Sequence, residues 1–108
     1  MAGRSEEEVR KIFSYEEAAA MLPEVQRITA DAVEKVDGLG ESEENVDQYQ
    51  AVIGQWAEAI IGLGIEVKGL WLIDFDCGSG YYCWQWPEPG LQFFHGYDDG
   101  YGGRVQLN

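Results

Sequence analysis

Residues 60–75 read Ile60-Ile61-Gly62-Leu63-Gly64-Ile65-Glu66-Val67-Lys68-Gly69-Leu70-Trp71-Leu72-Ile73-Asp74-Phe75, and the period of the chain changes within them. Up to Leu63, apolar residues recur at steps of three and four, the spacing of one helix face. Beyond Gly64 they gather into short, bulky, aromatic runs that suit a pleated surface. Gly62 and Gly64 stand where a helix can end and extended chain begin. The fold is therefore read as helices first and strands second.

Working back from this junction, Val46, Tyr49, Ile53, Trp56, Ile60 and Leu63 form a stripe alternating three and four like a coiled-coil seam. Ser42 is placed to cap that helix, with Glu43 and Glu44 in its positive first turn. Gly54 and Gly62 each weaken it by about 1 kcal/mol relative to alanine, which points to close packing. An earlier stripe runs Ala18, Met21, Leu22, Val25, Ile28, Ala32 and Val36. It opens on Ser14-Tyr15-Glu16-Glu17, the Ser-x-x-Glu spacing of a capping box. Pro23 has no amide hydrogen and predicts a kink or a restarted helix near Leu22. Asp37-Gly38-Leu39-Gly40 ends the element, and the two stripes predict an antiparallel helical hairpin.

Working forward, Leu70–Phe75, Tyr81–Trp86 and Leu91–His95 read as strands. Asp76-Cys77-Gly78-Ser79-Gly80 and Pro87-Glu88-Pro89-Gly90 supply their turns. The glycine-rich end, from Gly96 to Asn108, is expected as an ordered loop or a short final strand. The expected architecture is α+β, an antiparallel helical hairpin packed on a small antiparallel β-meander. At 108 residues the chain suits one domain. A flexible tail is expected over 1–11, the hairpin over 12–63, and the meander with its glycine-rich loop over 64–108.

Residues 1–68 carry 15 of the 20 acids and 6 of the 7 bases, while residues 69–108 carry 10 of the 14 aromatics and Arg104 as their one base. A formal net charge of −13 repels phosphate backbones, so no nucleic-acid partner is expected. No apolar run approaches the roughly 18 residues of a membrane helix, and no membrane partner is expected. Met1 to Lys11 lacks the apolar stretch of a signal peptide, which makes a cytoplasmic location the expectation. The two cysteines, Cys77 and Cys83, fit no familiar zinc spacing. A hairpin turning at 76–80 would set Cys83 opposite Ile73 and leave Cys77 in the turn. Two free thiols follow, with Cys83 packed as a small apolar residue.

His95-Gly96-Tyr97-Asp98-Asp99-Gly100-Tyr101-Gly102-Gly103-Arg104 resembles the closing motif of a bacterial family known as a domain of unknown function, number twenty-two-zero-three. The likeness extends to Phe13-Ser14, Glu17-Ala18, Leu22-Pro23-Glu24-Val25, Gly64-Ile65-Glu66-Val67-Lys68, Asp74-Phe75, Cys83-Trp84 and Glu88-Pro89. Asp76-Cys77 departs from it where proline often follows Asp-Phe. The resemblance implies a small cytoplasmic bacterial domain and carries no activity with it.

The candidate polar cluster is Asp74, His95, Asp98 and Arg104. His95 is the one histidine; oriented by Asp98 or Asp99 it could shuttle protons or bind a metal. The plainer alternative is a strand-end histidine bonded to a turn. Arg104 could anchor an anionic ligand, but an ion pair with Asp98, Asp99 or Asp74 is the stronger expectation. Asp74 interrupts an apolar run, and so either ends the strand or projects into a pocket. Asp74-x-Asp76-x-Gly78-x-Gly80 has the alternation of a calcium loop, yet Gly78 offers no side-chain oxygen and a hairpin turn fits better. His95 with Asp98 and Asp74, or Cys83, could assemble as metal ligands, but no spacing requires it. Neither metal nor cofactor is therefore expected. Trp71, Trp84 and Trp86 suit a core or a partner interface better than nucleotide stacking. The functional expectation is a self-associating binding or interaction module, a homodimer through the Val46–Leu63 seam with Trp56 inside it. Its small-molecule ligand is undefined. The alternative is a metal-dependent or hydrolytic enzyme centred on His95, Asp98 and Arg104.

Overall fold

The computed structural model describes residues 11–40 and 42–107. The tail expected over 1–11 lies outside them, apart from Lys11. Ser14 starts helix α1, Tyr15–Leu39, through a complete capping box. Its hydroxyl accepts from Glu17 N at 3.0 Å, and Glu17 Oε1 accepts from Ser14 N at 2.9 Å. The restart expected near Leu22 does not occur, because α1 runs unbroken through Pro23. Proline forfeits one backbone hydrogen bond there, but Leu22 and Val25 are buried on either side of it and hold both turns.

Ser42 caps a single 3-10 turn, Glu43–Asn45, that leads into helix α2, Val46–Gly62. The helices join through Trp56, 3% exposed, whose Nε1–H donates to the Thr29 hydroxyl at 2.8 Å. Both buried polar groups are thereby satisfied. Trp56 lies inside the chain's own core and meets Trp71 edge-on at 4.8 Å.

Five strands follow: β1 Glu66–Gly69, β2 Leu72–Asp76, β3 Tyr81–Gln85, β4 Phe93–His95 and β5 Val105–Gln106. They pair in sequence order, each antiparallel to the next, as a meander. The fold is thus α+β, a helical hairpin with a β-meander. β1 is additional to the three strands read from the sequence, and β5 is the short final strand expected as one alternative for the glycine-rich end. β1 is polar on one side, with Glu66 and Lys68 flanking Val67, and carries an irregular register between Val67 and Gly69. β5 is only two residues long.

Ile73, Phe75 and Trp84 are each fully buried and pack with Leu22, Val25 and Ile60 in one core. Tyr82 and Val67 border it on the same side of the sheet. Successive side chains of a strand alternate faces, so Asp74, Asp76, Cys83 and His95 belong to the opposite face. The β2–β3 register corrects the sequence reading by one residue. Cys83 lies opposite Asp74, and Ile73 opposite Trp84. The turn is the four residues Cys77–Gly80, closed by Cys77 N–H on the Gly80 carbonyl at 2.9 Å. A slip of one residue moves a side chain to the other face; Cys83 therefore belongs with the carboxylates and not with the apolar core.

Candidate functional site

Strand alternation presents Glu66 and Lys68, Asp74, Tyr81 and Cys83, and Phe93 and His95 on the face turned from the helices. The chain after β4 folds back toward this face. Gly80, at φ 158°, lets it approach, since a Cβ there would stand 2.6 Å from the His95 carbonyl oxygen. Asp99 then ties the loop internally by accepting from Gly96 N–H at 3.1 Å. Tyr97 reaches back to donate to Asp76 Oδ1 at 2.7 Å. The result is a cavity of about 250 Å³ bordered by Lys68, Leu72, Asp74, Cys83 and His95 and, from the loop, Tyr97, Gly100 and Tyr101.

Asp74 is 1% exposed, so it projects inward from the strand and does not end it. Its Oδ2 accepts from Lys68 Nζ at 3.1 Å and lies 2.9 Å from His95 Nε2. Its Oδ1 is buried without a hydrogen-bond partner. His95, 4% exposed, makes a 2.9 Å bond from Nδ1 to the Gly96 carbonyl. A carbonyl only accepts, so Nδ1 carries the hydrogen.

Cys83 has its thiol pKa pushed up to about 12, by burial first and then by the Asp74 carboxylate beside it. Arg104 acts against that rise with Nη1 at 3.9 Å from the sulfur. The thiol is a weak donor and leaves Asp74 Oδ1 without a bond of normal geometry. Burial opposes the charge of Lys68, but its bond to Asp74 and the charges of Asp74, Tyr81 and Glu66 outweigh it and hold the ammonium pKa above its usual value. The Lys68 ammonium also stands 3.8 Å from the centre of the Tyr81 ring. Cys77 and Cys83 are both free thiols.

Arg104 is partly buried and carboxylate-paired, but its partner is Glu88 and none of Asp74, Asp98 or Asp99. Its two terminal nitrogens reach Glu88 Oε1 at 3.1 Å and Oε2 at 2.8 Å, and its guanidinium stacks 3.9 Å above Phe93. Arg104 directly precedes β5, which pairs with β4, so its side chain crosses Phe93 toward the 86–90 turn. Asp98 is exposed and neither borders the cavity nor belongs to the Asp74–Cys83–His95 group. Of the four candidates the structure joins Asp74 directly to His95. It sets Arg104 at the margin, touching Cys83, and leaves Asp98 out. Lys68 and Glu88 were missed as site residues, and Cys83 was misplaced. The alternation Ile65-Glu66-Val67-Lys68 was the available signal for Lys68. A larger cavity of about 460 Å³, between Tyr15, Tyr82, Leu91, Gln92 and Leu107, holds no carboxylate, imidazole or thiol.

The sequence profile of an uncharacterized conserved protein family, DUF2203, matches residues 33–107, which include every residue of this site. The chain belongs to the DUF2203 family. No curated protein and no solved structure matches it. Among the described residues of this DUF2203 chain, no helix is long and apolar enough to cross a membrane.

Proposed function

We propose that the protein works by binding a small polar or ionic ligand in the cavity on the polar face of its sheet. The observation that carries this reading is Asp74 Oδ1, buried at the cavity and without a hydrogen-bond partner. Such a group costs about 1–3 kcal/mol of desolvation, and a ligand that satisfies it recovers part of that. The lining combines a carboxylate, an ammonium, an imidazole and tyrosines within about 250 Å³, which fits a few heavy atoms or an ion better than a polymer.

A hydrolytic centre on His95, Asp98 and Arg104 is the weaker reading. Asp98 is exposed, and Arg104 is committed to Glu88. Both ring nitrogens of His95 are engaged, one by Gly96 and one by Asp74. His95 Nε2 faces Asp74 and is not hydrogen-bonded to the Cys83 sulfur, whose thiol pKa is raised to about 12, so the thiol is not an activated nucleophile. Self-association is a second reading, favoured by Val46 and Ile61, 47% and 58% exposed on α2. The tryptophans no longer argue for it, since Trp56 and Trp84 lie within the chain's own core. Light scattering across a concentration series tests it, and a monomer mass throughout would remove the homodimer.

The pocket reading is tested by thermal shift against small carboxylates, amines, phosphates and divalent ions. At least one should raise Tm in the unmodified protein and fail to do so in Asp74→Asn. A flat response across the set would end it.

A further inference from the structure

The His95 ring presents a proton-counting problem. Nδ1 donates to the Gly96 carbonyl, so in the neutral ring Nε2 is a bare lone pair. That lone pair stands 2.9 Å from Asp74 Oδ2, itself an acceptor. Two acceptors at that distance need either a proton on Nε2 or a metal ion to hold them together. Lys68 contributes its ammonium to Oδ2 from the side, but it does not reach Oδ1, which has no donor.

The third group is Cys83. One ligand atom each from Asp74, Cys83 and His95 lie within 4.8 Å of one another, and all three residues are buried. From the polar-face pocket proposed above, we infer that these three side chains form a binding site for a borderline-soft divalent metal, with zinc the best fit. The inference rests on that reading and names the ligand. The donor set supports the choice, because thiolate, imidazole and carboxylate together suit zinc and not calcium or magnesium. Atoms bound to zinc at about 2.0–2.3 Å lie about 3.3–3.8 Å apart, and the present separations, from 2.9 Å to at most 4.8 Å, bracket that range. The Nδ1–H bond to a backbone carbonyl is the contact that typically fixes the tautomer of a metal-bound histidine.

Charge is compatible with the same choice. On binding, the Cys83 S–H releases its proton to solvent and the sulfur enters as thiolate. The formal charges of Asp74, Glu66 and that thiolate then cancel those of Lys68 and a divalent ion. Lys68 competes for Asp74, yet Glu66 at 3.5 Å and the Tyr81 ring at 3.8 Å can retain its ammonium when Asp74 turns to a metal. Three protein ligands and an adjoining cavity leave a further coordination position for water or a small ligand, the pattern of an open zinc site.

The test is titration of the full chain, freed of metal by chelation, with Co²⁺ as an optical probe and then with Zn²⁺ in competition. The expected result is one equivalent of Co²⁺ bound, a thiolate-to-cobalt charge-transfer band, and displacement by Zn²⁺. Cys83→Ser and His95→Gln should each lower Zn²⁺ affinity by on the order of 100-fold or more, beyond the roughly 10- to 100-fold of a lost outer contact. Cys77→Ser and Asp98→Asn should bind like the unmodified chain. Circular dichroism of each variant separates lost ligation from lost fold, and the unmodified chain decides the matter if a variant does not fold. Absence of the charge-transfer band there, with a ¹⁵N spectrum showing His95 protonated at both nitrogens, overturns the metal site in favour of an imidazolium–carboxylate pair. If small polar ligands still raise Tm in that case, the pocket stands and only the metal falls; if none does, both fall.

Discussion

The two faces of the sheet are built from alternate residues of the same strands and are both buried, yet by different physics. On one face, Ile73, Phe75 and Trp84 are covered by helices and sealed by apolar contact. On the other, Asp74, Cys83 and His95 are equally shielded, but by neighbouring polar side chains and a glycine-rich loop. Burial of the first kind stabilises in proportion to apolar area. Burial of the second kind requires every polar group to find a partner, and here one oxygen has none. Equal exposure thus conceals unequal energetics: one face gains from apolar burial, and the other buries titratable groups with one oxygen left unpartnered.

Substitutions can break or sharpen this contrast. The largest effect should come from the apolar face. Phe75→Ala removes a ring that meets Phe13 edge-on at 5.2 Å and should cost about 3–5 kcal/mol, read from urea unfolding. A cost below 1 kcal/mol would mean that this face does not anchor the fold.

The polar face should respond less and non-additively. Asp74→Leu alone leaves Lys68 and His95 without their acceptor and should cost about 1.5–3 kcal/mol. The double variant Asp74→Leu/His95→Phe should recover much of that loss, because matched apolar groups can replace a buried polar pair at little cost. A double variant as unstable as the sum of the singles would show that the polar face also holds the fold.

The smallest effect belongs to the margin. Arg104→Ala should lower stability by about 1–2 kcal/mol, and Arg104→Lys should restore less than half of it. A lysine cannot make the forked bond to Glu88 or place a guanidinium over the Phe93 ring. Thermal melts of both variants check this, and equal melting of the unmodified chain and both variants would remove the Arg104–Glu88 clasp.

The sequence makes the apolar face far more legible than the polar one. Helix caps at Ser14 and Ser42 and the two stripes are local signals, readable from residues three and four apart. Asp74 and His95 are also visible, as a charge inside an apolar run and as the one histidine. What joins them is not local. The β2–β3 register depends on whether the turn holds four residues, and miscounting by one exchanges Cys83 between faces. Glu88 meets Arg104 only because β5 returns beside β4, a pairing of two residues that no period reveals. Asp98 misleads for a related reason: it lies three residues from His95 in sequence but is exposed, and spacing alone does not give that exposure.

The irregular pairing in β1 bears on how this molecule can meet another. An edge strand offers a row of free amides and carbonyls on which a foreign strand can template itself. Here one border is offset between Val67 and Gly69 and carries Glu66 and Lys68, while the opposite border is the two-residue β5. Neither offers the long, even ladder that strand addition needs. These borders, one charged and one short, therefore give a foreign strand little regular backbone to pair with, which is a known way for sheets to resist edge-to-edge growth.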